Sequence, residues 1–493
     1  MTDDNSARQI LRSSSLIGAA SVANVLTGLV RNKLAALLLG PAGFGLIALV
    51  QSLVTSLAQV GGLGLANAAV RQLSQADEEQ ARASVRRALF LGSLTLAALT
   101  LALLWLLQKP LGAWLLPDEA AGWSLGLIAL AAALTILATT QQFLLTGLRQ
   151  IGRLALLNVG GALTGTLLGV GALYWLGSGG IPLYILAAPV GALVVGVMVL
   201  APLRPGAAPS SPRLLSELRP MLSLGVPLML GNLLAPVAQL AIRSAMGDQL
   251  GAAALGYYGA ASMISVTYIG FVLSAMATDY YPRVSAAYPT PLVARRVVLE
   301  QAEIALLLAA PLFLGLQATA PWVLHALYSS QFVEATPLLR WLVLGDTLKT
   351  LGWPLGYLLL ASGRGKIYIA AEALFALVLV GGTLLLLPRF GVEAAGIAYF
   401  AMMSVYLLTQ FFIARRLIGL HPGRPLILLA LAVIGSVAAL ALVGSFFPLA
   451  GLAIGLPLSA AAGLFGLLRL AHLTEADNRI GRTARTLAAR IGR

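Results

Sequence analysis

LIGAASVANVLTGLVRNKLAALLL, residues 16–39, is an apolar run long enough to cross a bilayer, yet it carries Arg31, Asn32 and Lys33 well inside it. A hydrocarbon core calls for roughly 20 consecutive apolar residues. Each charge near the centre of such a span costs about 2.5–3.5 kcal/mol on insertion scales, so two cations persist there only if they face protein, water or a negatively charged ligand. The rest of the chain reads as a structure that gives these cations something to face.

Of the 493 residues, 59% are hydrophobic and only 10% charged, and the mean hydropathy is +0.90. That balance excludes an ordinary soluble domain and points to a polytopic membrane protein. The opening stretch MTDDNSARQILRSS is polar, and the apolar run behind it is too long for a signal-peptide core and lacks a small-x-small cleavage site, so no cleavage is expected. With no cysteine in the chain, a disulfide framework, a thiolate metal site and a thiol nucleophile are all excluded.

Further apolar windows follow at 46–66, 88–107, 123–146, 154–176, 182–201 and 222–245, then at 252–277, 297–320, 337–361, 367–387, 394–414, 426–447 and 452–470. With the first, these predict fourteen transmembrane helices joined by short connections. If the N-terminus is cytoplasmic, 25 of the 32 Lys and Arg fall on inner segments, Lys109 and Arg389 on outer loops, and five inside helices. This bias puts both termini in the cytoplasm. The net charge of +14 then reads as topology and attraction to anionic lipids, with no nucleic-acid partner.

The chain repeats itself. LGPAGFG at 39–45 matches LGAAALG at 250–256, an offset of 211, and LLTGLRQIGR at 144–153 is similar to LLLASGRGK at 358–366. Six predicted helices separate the copies, so the copies share an orientation. The expected fold is all-α: two six-helix bundles related by a pseudo-two-fold axis along the membrane normal, plus two C-terminal helices. The expected domains are an N-terminal bundle at 1–203, a cytoplasmic linker at 204–220 and a second bundle at 221–415. Two additional helices follow at 416–472, and the tail at 473–493 is basic and amphipathic, suited to anionic lipid surfaces.

The default binding site in such a duplicated plan is the cleft between bundles. In the first helix Ser21, Asn24, Gly28 and Arg31 fall on one face; in the seventh, Asn232, Pro236, Gln239 and Arg243 do the same. Each repeat-related helix thus carries a polar stripe ending in a cation. The bland alternative is that the amides are packing glue and the arginines snorkel outward. Arg31 and Lys33 have six more helical residues ahead of them before Gly40, which argues for function, and Arg243 lies nearer its helix end. Cations facing a cleft make an anion site, and phosphate or pyrophosphate suits the point charge of lysine and the forked donors of arginine. Asn24, Asn32, Gln51, Asn232 and Gln239 are the polar candidates beside them. Gln59, Asn67, Gln141, Gln142 and Asn158, with Tyr257, Tyr258 and Tyr268, could line the remainder and offer uncharged hydrogen bonds to sugars.

The tenth helix carries Arg340, Asp346 and Lys349. Asp346 and Lys349 are three apart and can neutralise one another on one face; the sharper reading is a coupling site for H+ or Na+, with Glu372 in the eleventh helix as another candidate. The three histidines have no ligand spacing, so no metal and no other cofactor is expected.

LRSSSLIGAASVAN at 11–24, GLVRNK at 28–33, LGPAGFGL at 39–46 and GLANAAVRQ at 64–72 resemble the O-antigen translocases. These are Wzx-type polysaccharide flippases of the multidrug/oligosaccharidyl-lipid/polysaccharide exporter superfamily. The resemblance is clearest over about the first ninety positions, while the helix count and duplicated plan extend it to the whole chain. It implies a flippase, not an enzyme, moving an undecaprenyl-pyrophosphate-linked oligosaccharide from the cytoplasmic to the periplasmic leaflet of the bacterial inner membrane. It also implies a cationic cavity falling on Arg31 and Lys33, with Arg243 placed there through the internal repeat, and other polysaccharide-assembly membrane proteins as partners. One rival is a cation-coupled multidrug exporter, which would hold an unpaired acid in its first helices; Asp118 and Glu119 lie in a loop. The other is a membrane glycosyltransferase or glycan ligase, which needs carboxylates on a sizeable outer loop.

Overall fold

The computed structural model describes residues 3–76, 78–108, 125–203 and 214–473. Residues 204–213 of the expected 204–220 linker, residues 474–493 of the expected tail, and Lys109, Asp118 and Glu119 lie outside them, while 214–220 of the expected linker are helical. Among the described residues there are fourteen α-helices and no strands. They are α1 (Asp3–Gly61), α2 (Leu65–Gln75), α3 (Glu79–Leu106), α4 (Leu125–Gly147), α5 (Ile151–Leu176), α6 (Ile181–Leu200) and α7 (Leu214–Leu250). The series continues with α8 (Ala252–Ala287), α9 (Pro291–Leu327), α10 (Thr336–Ala361), α11 (Gly365–Phe390), α12 (Glu393–Ile418), α13 (Arg424–Phe446) and α14 (Pro448–Leu473).

α1 is two membrane-crossing limbs in one. At Gly40 the backbone takes φ 65° and ψ −172°, a conformation open to glycine but strained for residues with a side chain, and Pro41 follows without an N–H to donate. The helix passes Gly28 without a break in its helical backbone, and the first limb ends at Gly40-Pro41. Eleven stretches of the described residues are long and apolar enough to cross a membrane. The stretch at Gly18–Gly61 holds both limbs of α1 and that at Ile151–Leu200 holds α5 and α6; α10, 26 residues long but bearing three charges, is a further helix of spanning length. The chain is an all-α polytopic membrane protein.

The short helix α2 begins inside the apolar window at 46–66 and runs beyond it, where no spanning helix is expected. Leu65, Ala68, Ala69 and Leu73 form its buried stripe, which packs on Met221 and, beside it, Leu218, Leu222 and Leu224 of α7. At 11 residues it is too short to span, so an amphipathic face, rather than overall hydropathy, is what makes it a helix.

The chain forms two compact units, one comprising Met1–Gly256 with Leu327–Ser329 and the other Tyr257–Ala326 with Ser330–Arg493. In the first, α5 and α6 pack at very short range. Gly161, Gly165 and Gly169, on successive turns of α5, face Ala192, Ala188 and Ala187 of α6, and a Cβ on Gly165 would come within 2.9 Å of Ala188 Cα. Small residues every fourth position let two helices in lipid approach until dispersion holds them, where no hydrophobic drive exists.

In the second unit α10 packs against α12 in the same way, with Gly345 beneath Tyr399 and Gly352 beneath Tyr406. The two C-terminal helices dock on this unit. Arg340 Nη1 of α10 donates to Ser445 Oγ of α13 at 2.9 Å, Ser459 Oγ of α14 donates to the Pro311 carbonyl of α9 at 2.6 Å, and Arg469 Nε of α14 donates to Glu303 Oε1 at 2.9 Å.

Candidate functional site

Arg31 sits on the first limb of α1, seven residues and two turns beyond Asn24, so both side chains leave the same face. Across from them, α4 brings Gln142, Phe143 and Thr146, α5 brings Asn158 together with its glycine stripe, and α6 brings Ala188 and Ala192. These residues line a cavity of about 570 Å³ within the first unit. The small residues that let α5 and α6 close together also form part of the cavity wall, beside Leu154 and Leu157 of α5.

Arg31 is held by one residue. Its Nε donates to Tyr184 Oη at 2.9 Å, and its guanidinium carbon lies 4.4 Å from the centre of the same ring. Tyr184 is 1% exposed, fixed deep in α6. One contact is a hydrogen bond and the other a cation–π interaction, worth about 0.5–1 kcal/mol at exposed sites and about 2 kcal/mol when desolvated; Arg31, half-buried, lies between these limits. No described residue hydrogen-bonds the two Nη nitrogens or places a carboxylate against them, and the cavity lining contains no Asp or Glu. Gln142 Nε2 donates to Asn158 Oδ1 at 3.1 Å. Asn24 Oδ1 is buried with no hydrogen-bond partner among the described residues. The cavity therefore presents a net positive group, forked N–H donors and three carboxamides.

Of the candidates read from sequence, the structure brings Arg31, Asn24, Gln142 and Asn158 into this one cavity. Lys33 and Asn32 are half-buried on the next part of the helix, and Gln51 is half-buried on the second limb; none is in the lining. On α7, Gln239 and Arg243 are half-buried and Asn232 is exposed, also outside it. Gln59 and Asn67 line a second cavity. Tyr184 was not singled out from sequence, since it is one aromatic in an otherwise apolar helix and carries no periodic signal.

Asp346 is 1% exposed in the second unit. Ser265 Oγ donates to its Oδ2 at 2.5 Å and Tyr399 Oη to its Oδ1 at 2.7 Å, so both carboxylate oxygens are satisfied by hydroxyls from α8 and α12. Lys349 lies three residues further along the same helix, without a salt bridge to Asp346 among the described residues. Glu372 is half-buried on α11. No group of three or more His, Cys, Asp or Glu suited to a metal ion occurs among the described residues.

The model of the polysaccharide biosynthesis protein family matches residues 10–287, more than half of the chain. This chain belongs to that family. As a member, it is 28% identical over 413 residues to the Lipid III flippase of Escherichia coli (strain K12), a match covering 80% of this chain and 96% of the relative, and equally to that of Shigella flexneri. Among solved structures the family member shares its fold with the Lipid II flippase MurJ in an inward closed conformation, at a TM-score of 0.69 and 13% identity over 92% of this chain and 99% of that one. An inward-facing multidrug resistance MATE family transporter of the MOP superfamily superposes with a TM-score of 0.68 and 19% identity, covering 80% and 94%. These relatives are transporters rather than enzymes.

Proposed function

We propose that this protein is a flippase that carries a polyprenyl-pyrophosphate-linked oligosaccharide, an O-antigen repeat unit or a related glycan, from the cytoplasmic to the periplasmic leaflet of the bacterial inner membrane by alternating access. The observation that carries the reading is Arg31: a guanidinium inside a membrane-crossing limb, opening on a 570 Å³ cavity with no acidic residue in its lining. A half-buried cation inside a membrane-crossing limb without a counter-ion is costly unless the ligand supplies the negative charge. Tyr184 holds Nε and leaves four N–H donors on the Nη nitrogens, arranged to meet phosphate oxygens in pairs. The Lipid III flippase relatives support a lipid-linked saccharide as cargo.

Lys33 and Arg243, with Asn32, Gln51, Asn232 and Gln239, are proposed to meet the cargo elsewhere along its path. Asp346, Lys349 and Glu372 are the candidates for coupling to H+ or Na+, Asp346 foremost as the more deeply buried of the two carboxylates.

The test is Arg31→Ala in a strain whose surface glycan depends on this gene. Delivery should stop, and complete lipid-linked repeat units should accumulate facing the cytoplasm, while the protein stays in the membrane at its usual level. Normal glycan delivery by that variant would refute the proposal, and accumulation of truncated units would point instead to an enzyme of glycan assembly.

A further inference from the structure

A second cavity of about 240 Å³ lies in the same unit, and Phe143 of α4 belongs to the walls of both. Thr135, Thr139 and Phe143 fall at i, i+4 and i+8 on one face of α4, so the two cavities follow a single stripe of that helix. The second differs in chemistry: its lining contains no Lys, Arg, His, Asp or Glu.

Its hydroxyls are one-sided. Thr55 donates to the Gln51 carbonyl at 2.8 Å, Thr135 to Ala131 at 2.7 Å, Thr139 to Thr135 at 2.7 Å, and Thr140 is within 2.8 Å of both the Ile136 carbonyl and Ser93 Oγ. Each threonine proton is thus committed to its own helix or to Ser93, and what each hydroxyl presents to the cavity is lone pairs. The carboxamides of Gln59 and Asn67 supply donors as well as acceptors. A wall of this kind favours a ligand rich in O–H and N–H donors and disfavours an anion, which would lose its hydration and find no cation in return. The volume is below the ~300–1,000 Å³ typical of drug-sized sites, enough for one sugar ring, with the apolar Phe143 ring as a surface for its C–H face.

The geometry points to a binding subsite for a single uncharged, hydroxyl-rich sugar, the one joined to the pyrophosphate, beside a cationic cavity that takes the pyrophosphate itself. This rests on the flippase reading above and adds a substrate class to it: the first sugar is neutral, such as an N-acetylhexosamine, and a uronic acid at that position is rejected.

The test uses the full-length protein in nanodiscs and three probes: a polyprenyl pyrophosphate without sugar, the same lipid bearing one N-acetylhexosamine, and the same lipid bearing one hexuronic acid. The neutral sugar should tighten binding about tenfold over the bare lipid, the gain expected of one or two added hydrogen bonds, and the uronic acid should give no gain. Thr139→Val and Asn67→Leu should each remove most of the neutral-sugar gain without changing affinity for the bare lipid. Thr95→Val, which removes the same kind of helix-directed hydroxyl from α3 outside this lining, should change nothing. Equal binding of neutral and acidic probes, or equal effects of Thr139→Val and Thr95→Val, would overturn the subsite. If the bare lipid binds and the sugar adds nothing, the subsite falls and the flippase reading stands; if no probe binds, both fall.

Discussion

Gly45 and Gly256 occupy equivalent positions of the internal repeat, and each lies against the backbone of the other copy. A Cβ on Gly45 would come 2.5 Å from Gly256 N, and one on Gly256 would come 2.7 Å from the Pro41 carbonyl carbon. The likeness between LGPAGFG and LGAAALG therefore has a physical cause at this position: both copies need a residue without a side chain for the same contact.

Gly256→Ala should lower stability by about 1–3 kcal/mol, because the atoms in the way are backbone and cannot swing aside. Gly171→Ala is the control, since a Cβ there meets nothing within 4 Å and should gain up to about 1 kcal/mol of helix propensity. Thermal unfolding of the purified protein in detergent, followed by size-exclusion fluorescence, separates the two; equal midpoints would show the contact to be loose.

Tyr184→Phe keeps the ring under Arg31 and removes the oxygen that accepts from its Nε. Affinity for polyprenyl pyrophosphate should fall by about tenfold, the worth of one hydrogen bond to a charged group. Tyr184→Ala should lose more, since the cation–π contact goes too. A Tyr184→Phe variant that binds and transports like wild type would show that the ring alone orients Arg31.

Asp346→Asn preserves shape but turns one acceptor into a donor facing a hydroxyl, so the proton of either Ser265 or Tyr399 loses its acceptor. Stability should drop by about 1–3 kcal/mol. Adding Ser265→Ala to Asp346→Asn should then cost less than it does alone, a coupling readable as a double-mutant cycle of unfolding midpoints. Strict additivity would mean the two groups do not interact.

Gly444→Leu would drive a Cβ to 2.6 Å from Arg340 Nη2, forcing this 6%-exposed guanidinium out of the seam between α10 and α13. The expected result is loosening of α13, measured as faster proteolysis in the 419–423 connection that precedes it, with α1–α6 as resistant as before. Ser445→Ala removes the hydroxyl that Arg340 donates to and should act in the same direction more weakly. Unchanged cleavage in both variants would show that Arg340 does not hold the added helices.

Hydropathy and charge are local properties, so the spanning segments, the break at Gly40-Pro41 and the cations inside the first limb were legible along the chain. α2 was not, because 11 amphipathic residues leave a weaker trace than a long apolar run. Tyr184 was out of reach for a related reason. α6 is apolar on every side, so nothing in its order of residues says which face turns inward, and the bond to Arg31 joins residues 153 apart.

The sequence by itself determined that this chain is membrane-embedded and helical, with a cation where lipid would not tolerate one, since transfer energies depend on residue type and count. Tertiary structure decided which amides share a cavity with Arg31, that Asp346 takes hydroxyls rather than Lys349, and which cavity is charged and which neutral. Those outcomes depend on how each helix is rotated about its axis, and in a bundle of nearly uniform apolar helices the rotation is set by the close packing of small residues between neighbours.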